Sequence, residues 1–189
     1  MPSASVPRVI GFAGSLRRAS LNRALLRAVA ELASDRLTVE MHDLNDIPLY
    51  NQDVEDAGAP PAVTALRDAI RGADGLLIAA PEYNHGVPGV LKNTIDWLSR
   101  PPRGSVLNGK PVGLIGTSPG MTGTARSQSQ LRQAFVFANS YVMPQPEVLV
   151  GRAHEKFDAE GRLTDESTRK FLRMFVDQFV SWIARFPQA

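Results

Sequence analysis

The sequence contains no cysteine. This absence excludes disulfide bonds, catalytic thiolates, iron–sulfur clusters and zinc sites that use cysteine ligands. Only three histidines are present, His42, His85 and His154, and their separation matches no common spacing of metal ligands. We therefore expect no bound metal. A reducing, cytoplasmic setting is consistent with the lack of cysteine, and we expect that location.

Long hydrophobic runs and a strong excess of one charge are missing as well. The longest apolar stretches, such as 75–81, fall far short of the roughly 20 residues that cross a bilayer. Residues 1–7 lack the charged start and the apolar run of a signal peptide, and we interpret them as a loose end. We expect a soluble protein with no membrane contact. The net charge of +2 gives no electrostatic support for binding to nucleic acid.

Apolar segments of strand length alternate with amphipathic segments of helix length. The pattern predicts strands at 8–13, 37–42, 75–80, 111–116 and 147–150. It predicts helices at about 20–34, 61–71, 90–99, 125–140 and from Thr164 onward, with a long surface loop at 43–60. Five strand–helix repeats predict an α/β fold in which helices cover both faces of a parallel sheet. The length of 189 residues suits a single domain over 1–189.

The last predicted helix carries an aromatic stripe at helical spacing. Its members are Phe171, Phe175, Phe179 and Trp182. Aromatic stripes of this kind usually pack into a core, and we interpret this one in that way.

Three loops that follow strands are rich in small polar residues. They span Gly14–Asn22, Pro81–Gly89 and Thr117–Gly123. The carboxyl ends of parallel strands meet at one edge of a doubly wound sheet, and ligands bind at that edge. The three loops, distant in sequence, are therefore expected to form one site.

The first of these loops combines hydroxyl, amide and guanidinium groups at the start of a helix. Free N–H groups and partial positive charge at a helix N-terminus favour a bound phosphate. Ser15, Ser20 and Asn22 could add donors, and Arg17 could add charge. Alternatively, Ser20 only caps the helix and the arginines are solvated.

Two common phosphate motifs are absent from this loop. It has no Gly-Lys-Ser or Gly-Lys-Thr, which excludes the phosphate loop of nucleoside triphosphatases. Phe12 stands between Gly11 and Gly14, so the loop also lacks the G-x-G-x-x-G pattern of dinucleotide-binding folds. A terminal monophosphate is thus favoured over a pyrophosphate.

The second loop, PEYNHGVPG, could lie against a flat ring through Tyr83 and its glycine-bearing backbone. Alternatively, Tyr83, Glu82 and His85 are ordinary surface residues. The third loop contains Gly116-Thr-Ser118-Pro-Gly120, which matches the G-x-S-x-G elbow of serine hydrolases, and an acid and a histidine follow downstream, Glu147 and His154. The elbow uses the backbone N–H after the serine, and Pro119 has none, so a hydrolase is disfavoured.

Three motifs in these loops resemble the flavodoxin-like NADPH-dependent FMN reductase family, which includes bacterial quinone, chromate and azo-dye reductases. They are GSLRRASLNR at 14–23, PEYNHGVPGVLKNTIDWLSR at 81–100 and GTSPGMTGTARSQSQLRQ at 116–133. The resemblance covers about 8–150. It implies a flavodoxin-like, doubly wound sheet of five parallel strands in the order 2-1-3-4-5.

The resemblance also assigns roles to residues of the three loops. It implies that the FMN phosphate is held by Ser15, Arg17, Ser20 and Asn22. It implies that the isoalloxazine ring is lined by Pro81, Glu82, Tyr83, Asn84, His85 and Gly86, and that the ring pocket is closed by Ser118 and Gly120. Because a flavin performs hydride chemistry itself, no catalytic side chain is expected.

The activity implied by the resemblance is a ping-pong transfer of electrons from NADPH or NADH through FMN to a small acceptor. Quinones and free flavin are the expected acceptors, with chromate and azo compounds as further candidates. Arg17, Arg18 or Arg103 could contact the phosphates of the nicotinamide cofactor, and their spacing does not choose among them. The resemblance further implies a homodimer or homotetramer.

A flavodoxin-like electron carrier without NAD(P)H activity is the alternative function. Such a carrier is expected to have an acidic surface around its flavin for a protein partner. The near-neutral chain and the arginine-rich first loop do not favour it.

Overall fold

The computed structural model describes residues 6–186 and forms one parallel sheet between two layers of helices. The strands are β1 (Arg8–Ala13), β2 (Thr38–His42), β3 (Gly75–Ala79), β4 (Pro111–Thr117), β5 (Tyr141–Val142) and β6 (Val148–Val150). The helices are α1 (Leu21–Leu32), α2 (Gln52–Asp56), α3 (Pro61–Arg71), α4 (Gly89–Leu98), α5 (Ala125–Phe137) and α6 (Glu166–Ile183). The predicted α/β class is confirmed.

The strands are ordered β2-β1-β3-β4-β5, as the resemblance implied, and every pair is parallel. The prediction of five strands missed β5. Both β5 and β6 pair with β4, the former beside Pro111 and the latter beside Ile115, so two short strands share the fifth position. A strand of two residues carries no periodic signal, which is why the sequence did not indicate it.

The sheet is buried on both faces because each face packs against helices. One core lies between the sheet and the pair α1 and α6, with Leu25 and Phe175 among its buried residues. The other lies between the sheet and the layer of α3, α4 and α5, and it includes Ile70, Leu91 and Leu131. All five residues of β3 are buried, as expected for a central parallel strand.

The structure differs from the prediction in the segment 43–60 and describes only part of the predicted loose end at 1–7. The predicted loop at 43–60 contains the short helix α2, whose first turn is capped by the Asn51 side chain. The predicted loose end at 1–7 lies mostly outside the described residues, and the carbonyl of Pro7 already accepts a hydrogen bond from the Thr38 N–H of β2. Within 6–186, no helix is both long and apolar enough to cross a membrane.

The last helix begins two residues later than predicted, because Asp165 and not Thr164 caps it. One Asp165 carboxylate oxygen accepts hydrogen bonds from the Lys156 ammonium at 2.8 Å, the Ser167 hydroxyl at 2.7 Å and the Thr168 N–H at 2.9 Å. These bonds, that of Lys156 foremost, hold the pKa of Asp165 well below its usual range. The carboxylate therefore stays ionised and fixes where α6 starts.

The aromatic stripe of α6 lies in the core only in part. Phe175 and Phe179 are fully buried, with ring centroids 5.8 Å apart. Phe171 and Trp182 are partly buried and pack against the margin of the same core. The prediction of a core stripe is therefore confirmed for its middle two members.

Replacing the cap residue with Asp165→Ala is expected to lower the free energy of unfolding by about 1–2 kcal/mol at pH 7. Because the pKa of Asp165 is lowered on folding, its contribution is complete above the ordinary pKa of about 3.9 and fades as the pH falls below it. Chemical denaturation at pH 7 and pH 3 measures both effects. The exposed Asp35→Ala is the control, and an equal loss in both variants would contradict the capping role.

Candidate functional site

The three polar loops meet at the carboxyl edge of the sheet, as the sequence predicted. They enclose a cleft of about 130 Å³. Its lining residues are Ser15, Arg17, Ser20, Leu21, Asn22, Pro81, Glu82, Tyr83, Thr117, Ser118, Pro119 and Ala153. The cleft therefore gathers residues that follow β1, β3, β4 and β6.

The first loop ends at the N-terminus of α1, which faces the cleft. The Ser20 hydroxyl accepts a hydrogen bond from the Arg23 N–H at 3.3 Å, so Ser20 caps the helix. Among the described residues, none accepts a hydrogen bond from the N–H groups of Leu21 and Asn22. No acidic side chain within 6–186 pairs with Arg17, which is exposed at the rim. These groups suit a bound anion.

The Asn22 side chain links the first loop to the third. Its Nδ2 donates to the Thr117 carbonyl at 2.8 Å, and its Oδ1 accepts from the Thr117 N–H at 2.9 Å. The side chain is buried, and both ends of its amide are engaged. The backbone N–H of Asn22 has no acceptor within 6–186, and the bond to Thr117 uses only one of the two Nδ2 hydrogens. The predicted contact of Asn22 with a phosphate stays a prediction, with the backbone N–H as its main donor.

The second loop contacts the first through Tyr83. Its hydroxyl donates to Ser15 Oγ at 3.2 Å, which leaves the Ser15 hydrogen free to be donated to a ligand. Ser15 is buried, whereas Tyr83 is 48% exposed and presents its ring at the mouth of the cleft. Gly14 permits this approach, because a Cβ there would lie 3.1 Å from Pro81 and 3.0 Å from Leu91.

Glu82 caps α5 and is not the solvated acid that the sequence left open. Its carboxylate accepts from the N–H groups of Arg126 at 3.0 Å and Ser127 at 3.2 Å, and it pairs with the Arg126 guanidinium at 3.2 Å. Burial raises the pKa of Glu82, but these hydrogen bonds outweigh it, and the pKa lies below its usual value. Among the residues of 6–186 that line the cleft, Glu82 is the only acid, and it is ionised at neutral pH with its charge compensated by α5.

The remaining predicted residues lie outside the cleft. Asn84 and His85 are exposed at the tip of a tight turn, and Gly86 closes that turn. Gly120 is exposed in the third loop, where its carbonyl accepts from the Arg152 N–H at 3.1 Å. Their predicted contacts with a flat ring stay predictions.

The Ser118 hydroxyl bonds to the backbone of its own loop and not to a general base. Its hydroxyl donates to the Gly123 carbonyl at 2.6 Å. No histidine of the described chain hydrogen bonds to Ser118, and His154 is paired with Glu155 at 3.5 Å. The hydrolase hypothesis therefore lacks a base as well as the N–H that Pro119 cannot supply.

Several residues of the site were missed by the sequence reasoning. Leu21 and Thr117 directly adjoin predicted residues, and their position at the ends of a helix and a strand could have indicated them. Arg126 and Ala153 carry no such signal, because each reaches the site through tertiary packing alone.

The chemistry of the cleft fits a phosphorylated flavin. Its free donors include two backbone N–H groups, the Ser15 and Ser20 hydroxyls and the Arg17 guanidinium, and among the residues of 6–186 that line it no carboxylate is uncompensated. Donors of this kind bind a phosphate dianion. The Tyr83 ring and Pro119 add apolar surface next to these donors, where a flat ring could lie.

Known proteins that resemble this chain include flavin-dependent reductases. Residues 7–155 match the sequence profile of the NADPH-dependent FMN reductase family. An NAD(P)H-dependent FMN reductase of Pseudomonas aeruginosa is 44% identical over 178 residues, which cover 94% of this chain and 96% of the relative. A 2-hydroxy-1,4-benzoquinone reductase of a Burkholderia species is 44% identical over 170 residues, which cover 90% of this chain and 92% of the relative.

A solved structure is similar over nearly the whole chain. FerB, a flavoenzyme NAD(P)H:(acceptor) oxidoreductase from Paracoccus denitrificans, has a TM-score of 0.88 and 41% sequence identity. The similarity covers 96% of this chain and 99% of FerB.

The substitution Asn22→Ala is expected to lower the free energy of unfolding by about 3 kcal/mol, because two buried backbone groups of Thr117 lose their partner. Urea denaturation measures the loss. The control Asn45→Ala removes an exposed side chain and should change stability by less than about 0.5 kcal/mol. Similar values for the two variants would show that the Asn22 amide does not hold the loops together.

Proposed function

The chain belongs to the NADPH-dependent FMN reductase family, and we propose that within it the chain binds FMN in the described cleft and reduces quinone-type acceptors with electrons from NADPH or NADH. The observation that carries this proposal is the set of unpaired donors at the start of α1, next to the exposed Tyr83 ring. The bound flavin supplies the hydride-transfer chemistry, so the chain needs no catalytic side chain.

The first loop is proposed to hold the phosphate. The N–H groups of Leu21 and Asn22 point out of the helix terminus, and the Ser15 hydroxyl retains a hydrogen to donate. Arg17 adds a positive charge, and Ser20, whose oxygen accepts the capping bond from the Arg23 N–H, keeps its hydroxyl hydrogen for the phosphate. Together these groups can compensate a dianion without burying an unpaired charge.

The second and third loops are proposed to hold the ring. Pro81, Glu82 and Tyr83 line the cleft from one side and Ser118 from another. The turn residues Asn84, His85 and Gly86, together with Gly120, belong to the same loops but lie outside the cleft, and they are proposed to contact the outer part of the ring. Glu82 would act mainly by fixing the loop on α5.

Quinones are the favoured acceptors because a relative that is 44% identical is a 2-hydroxy-1,4-benzoquinone reductase. Free flavin is the second candidate, since another relative of the same identity is an FMN reductase. Chromate and azo compounds remain candidates from the motif resemblance alone. Arg17, Arg18 and Arg103 are exposed and remain candidates for the phosphates of the nicotinamide cofactor.

A homodimer or homotetramer is proposed for the assembly. Val136 and Phe137, adjacent at the end of α5, are 73% and 83% exposed, and a contiguous exposed apolar patch is the kind of surface that a second copy of the chain would cover. A cytoplasmic location is proposed from the lack of cysteine.

The purified protein loaded with FMN should lose its yellow absorbance when NADPH or NADH is added without oxygen, and a quinone should restore it. An electron carrier would stay yellow with both donors. Stopped-flow absorbance under nitrogen distinguishes the two functions. Persistent colour with NADPH and NADH would contradict the reductase proposal.

The substitution Arg17→Ala is expected to raise the Kd of FMN about tenfold, because a charge-assisted contact with the phosphate is lost. The Kd of riboflavin, which has no phosphate, should not change. Quenching of flavin fluorescence measures both. Arg27→Ala, which removes an equal charge from the exposed face of α1, is the control. Equal weakening of FMN and riboflavin would contradict the placement of the phosphate.

A further inference from the structure

The second loop is fixed to α5 at two places. Glu82 binds the first turn of α5, and Gln130 lies one turn further along. Gln130 Nε2 donates to the His85 carbonyl at 3.3 Å, and Gln130 Oε1 accepts from the Val87 N–H at 3.3 Å. One side-chain amide therefore spans the turn from His85 to Val87.

The turn held by Gln130 has a strained backbone. Tyr83 and Gly86 exchange two backbone hydrogen bonds, of 3.2 Å and 2.9 Å. Between them, Asn84 and His85 both adopt positive φ, at 50° and 62°. Such turns favour glycine at the second central position, and a histidine there is disfavoured by its Cβ.

The tip of the turn has little burial to stabilise it. Tyr83, Asn84 and His85 are all exposed, so their burial contributes little to the conformation. Exposed segments with few buried contacts open locally more often than a core does. Within the described chain, the side-chain hydrogen bonds to the backbone of residues 84–87 come from Gln130, whereas the Tyr83 hydroxyl separately donates to Ser15 Oγ.

We propose that Gln130 is the positioning residue of the ring-binding loop, which it holds in its left-handed conformation and thereby keeps ready for FMN. The claim that the turn is kept ready for FMN rests on the proposed function. The claim that Gln130 holds the turn concerns the chain without any ligand. The amide is suited to this role because it combines a donor and an acceptor, whereas a carboxylate at neutral pH offers acceptors only.

The first test uses the protein without FMN. Gln130→Leu keeps the size of the side chain and removes both hydrogen bonds. Hydrogen exchange of the Gly86 and Val87 amides, measured by NMR, should become at least about tenfold faster. Gln133→Leu, the same change at an exposed glutamine of α5, should leave both rates unchanged. Unchanged rates in Gln130→Leu would overturn the proposal and leave the proposed function untouched.

The second test measures FMN affinity in the same variants. Gln130→Leu should raise the Kd of FMN about five- to tenfold, and Gln133→Leu should not. Gln130→Glu retains the acceptor for the Val87 N–H but loses the donor for the His85 carbonyl. Its Kd for FMN should lie between those of the unaltered chain and Gln130→Leu. Faster exchange with unaltered FMN affinity would overturn the link between this turn and the flavin. No FMN binding by the unaltered chain would instead refute the proposed function, while the exchange rates would still decide the role of Gln130.

A third variant tests the strain directly. Glycine adopts positive φ without a Cβ penalty, so His85→Gly should slow exchange at Gly86 and reduce the effect of Gln130→Leu on that rate at least twofold. An undiminished effect of Gln130→Leu in the His85→Gly background would contradict the claim that the amide compensates for backbone strain.

Discussion

The hydrogen bonds between the Asn22 amide and the Thr117 backbone are the contact on which the arrangement of the site depends. Asn22 belongs to the first turn of α1, and Thr117 is the last residue of β4. A parallel sheet brings strand ends to the same edge, but it does not fix the loops that follow them against one another. The Asn22 amide joins the start of α1 to the end of β4, so the N-terminus of α1 faces the third loop across a narrow cleft.

The electrostatics of the cleft depend on the direction of the Glu82 carboxylate, the one acid among the described residues that line it. Glu82 turns its carboxylate to the N-terminus of α5 and to Arg126, so its charge is compensated there. The N-terminus of α1, with Arg17 beside it, is left as the positive end that faces the cleft. Two helix termini at one edge thus have different partners: a protein carboxylate occupies one, and the other is available to a phosphate.

The sequence predicted what depends on local pattern and missed what depends on tertiary contact. The buried strand at 75–79 was evident from its apolar run, whereas the two residues of Tyr141–Val142 pair only because β4 lies beside them. The site loops were predicted as well. The roles of Asn22 and Glu82 as structural links were not, because a polar side chain in a loop does not reveal its partner. Gln130 was one of several polar residues on a helix, and nothing in the sequence distinguished it.

An NMR titration of the ligand-free protein with FMN and, separately, with riboflavin shows where the phosphate binds. The amide signals of Ser15, Arg17, Leu21 and Asn22 should shift strongly with FMN and much less with riboflavin, because only FMN brings a phosphate to the start of α1. The signals of Tyr83 and Ser118 should shift with both ligands. If FMN and riboflavin shifted the first-loop amides equally, or if the FMN-specific shifts fell elsewhere, the phosphate would not lie at the N-terminus of α1.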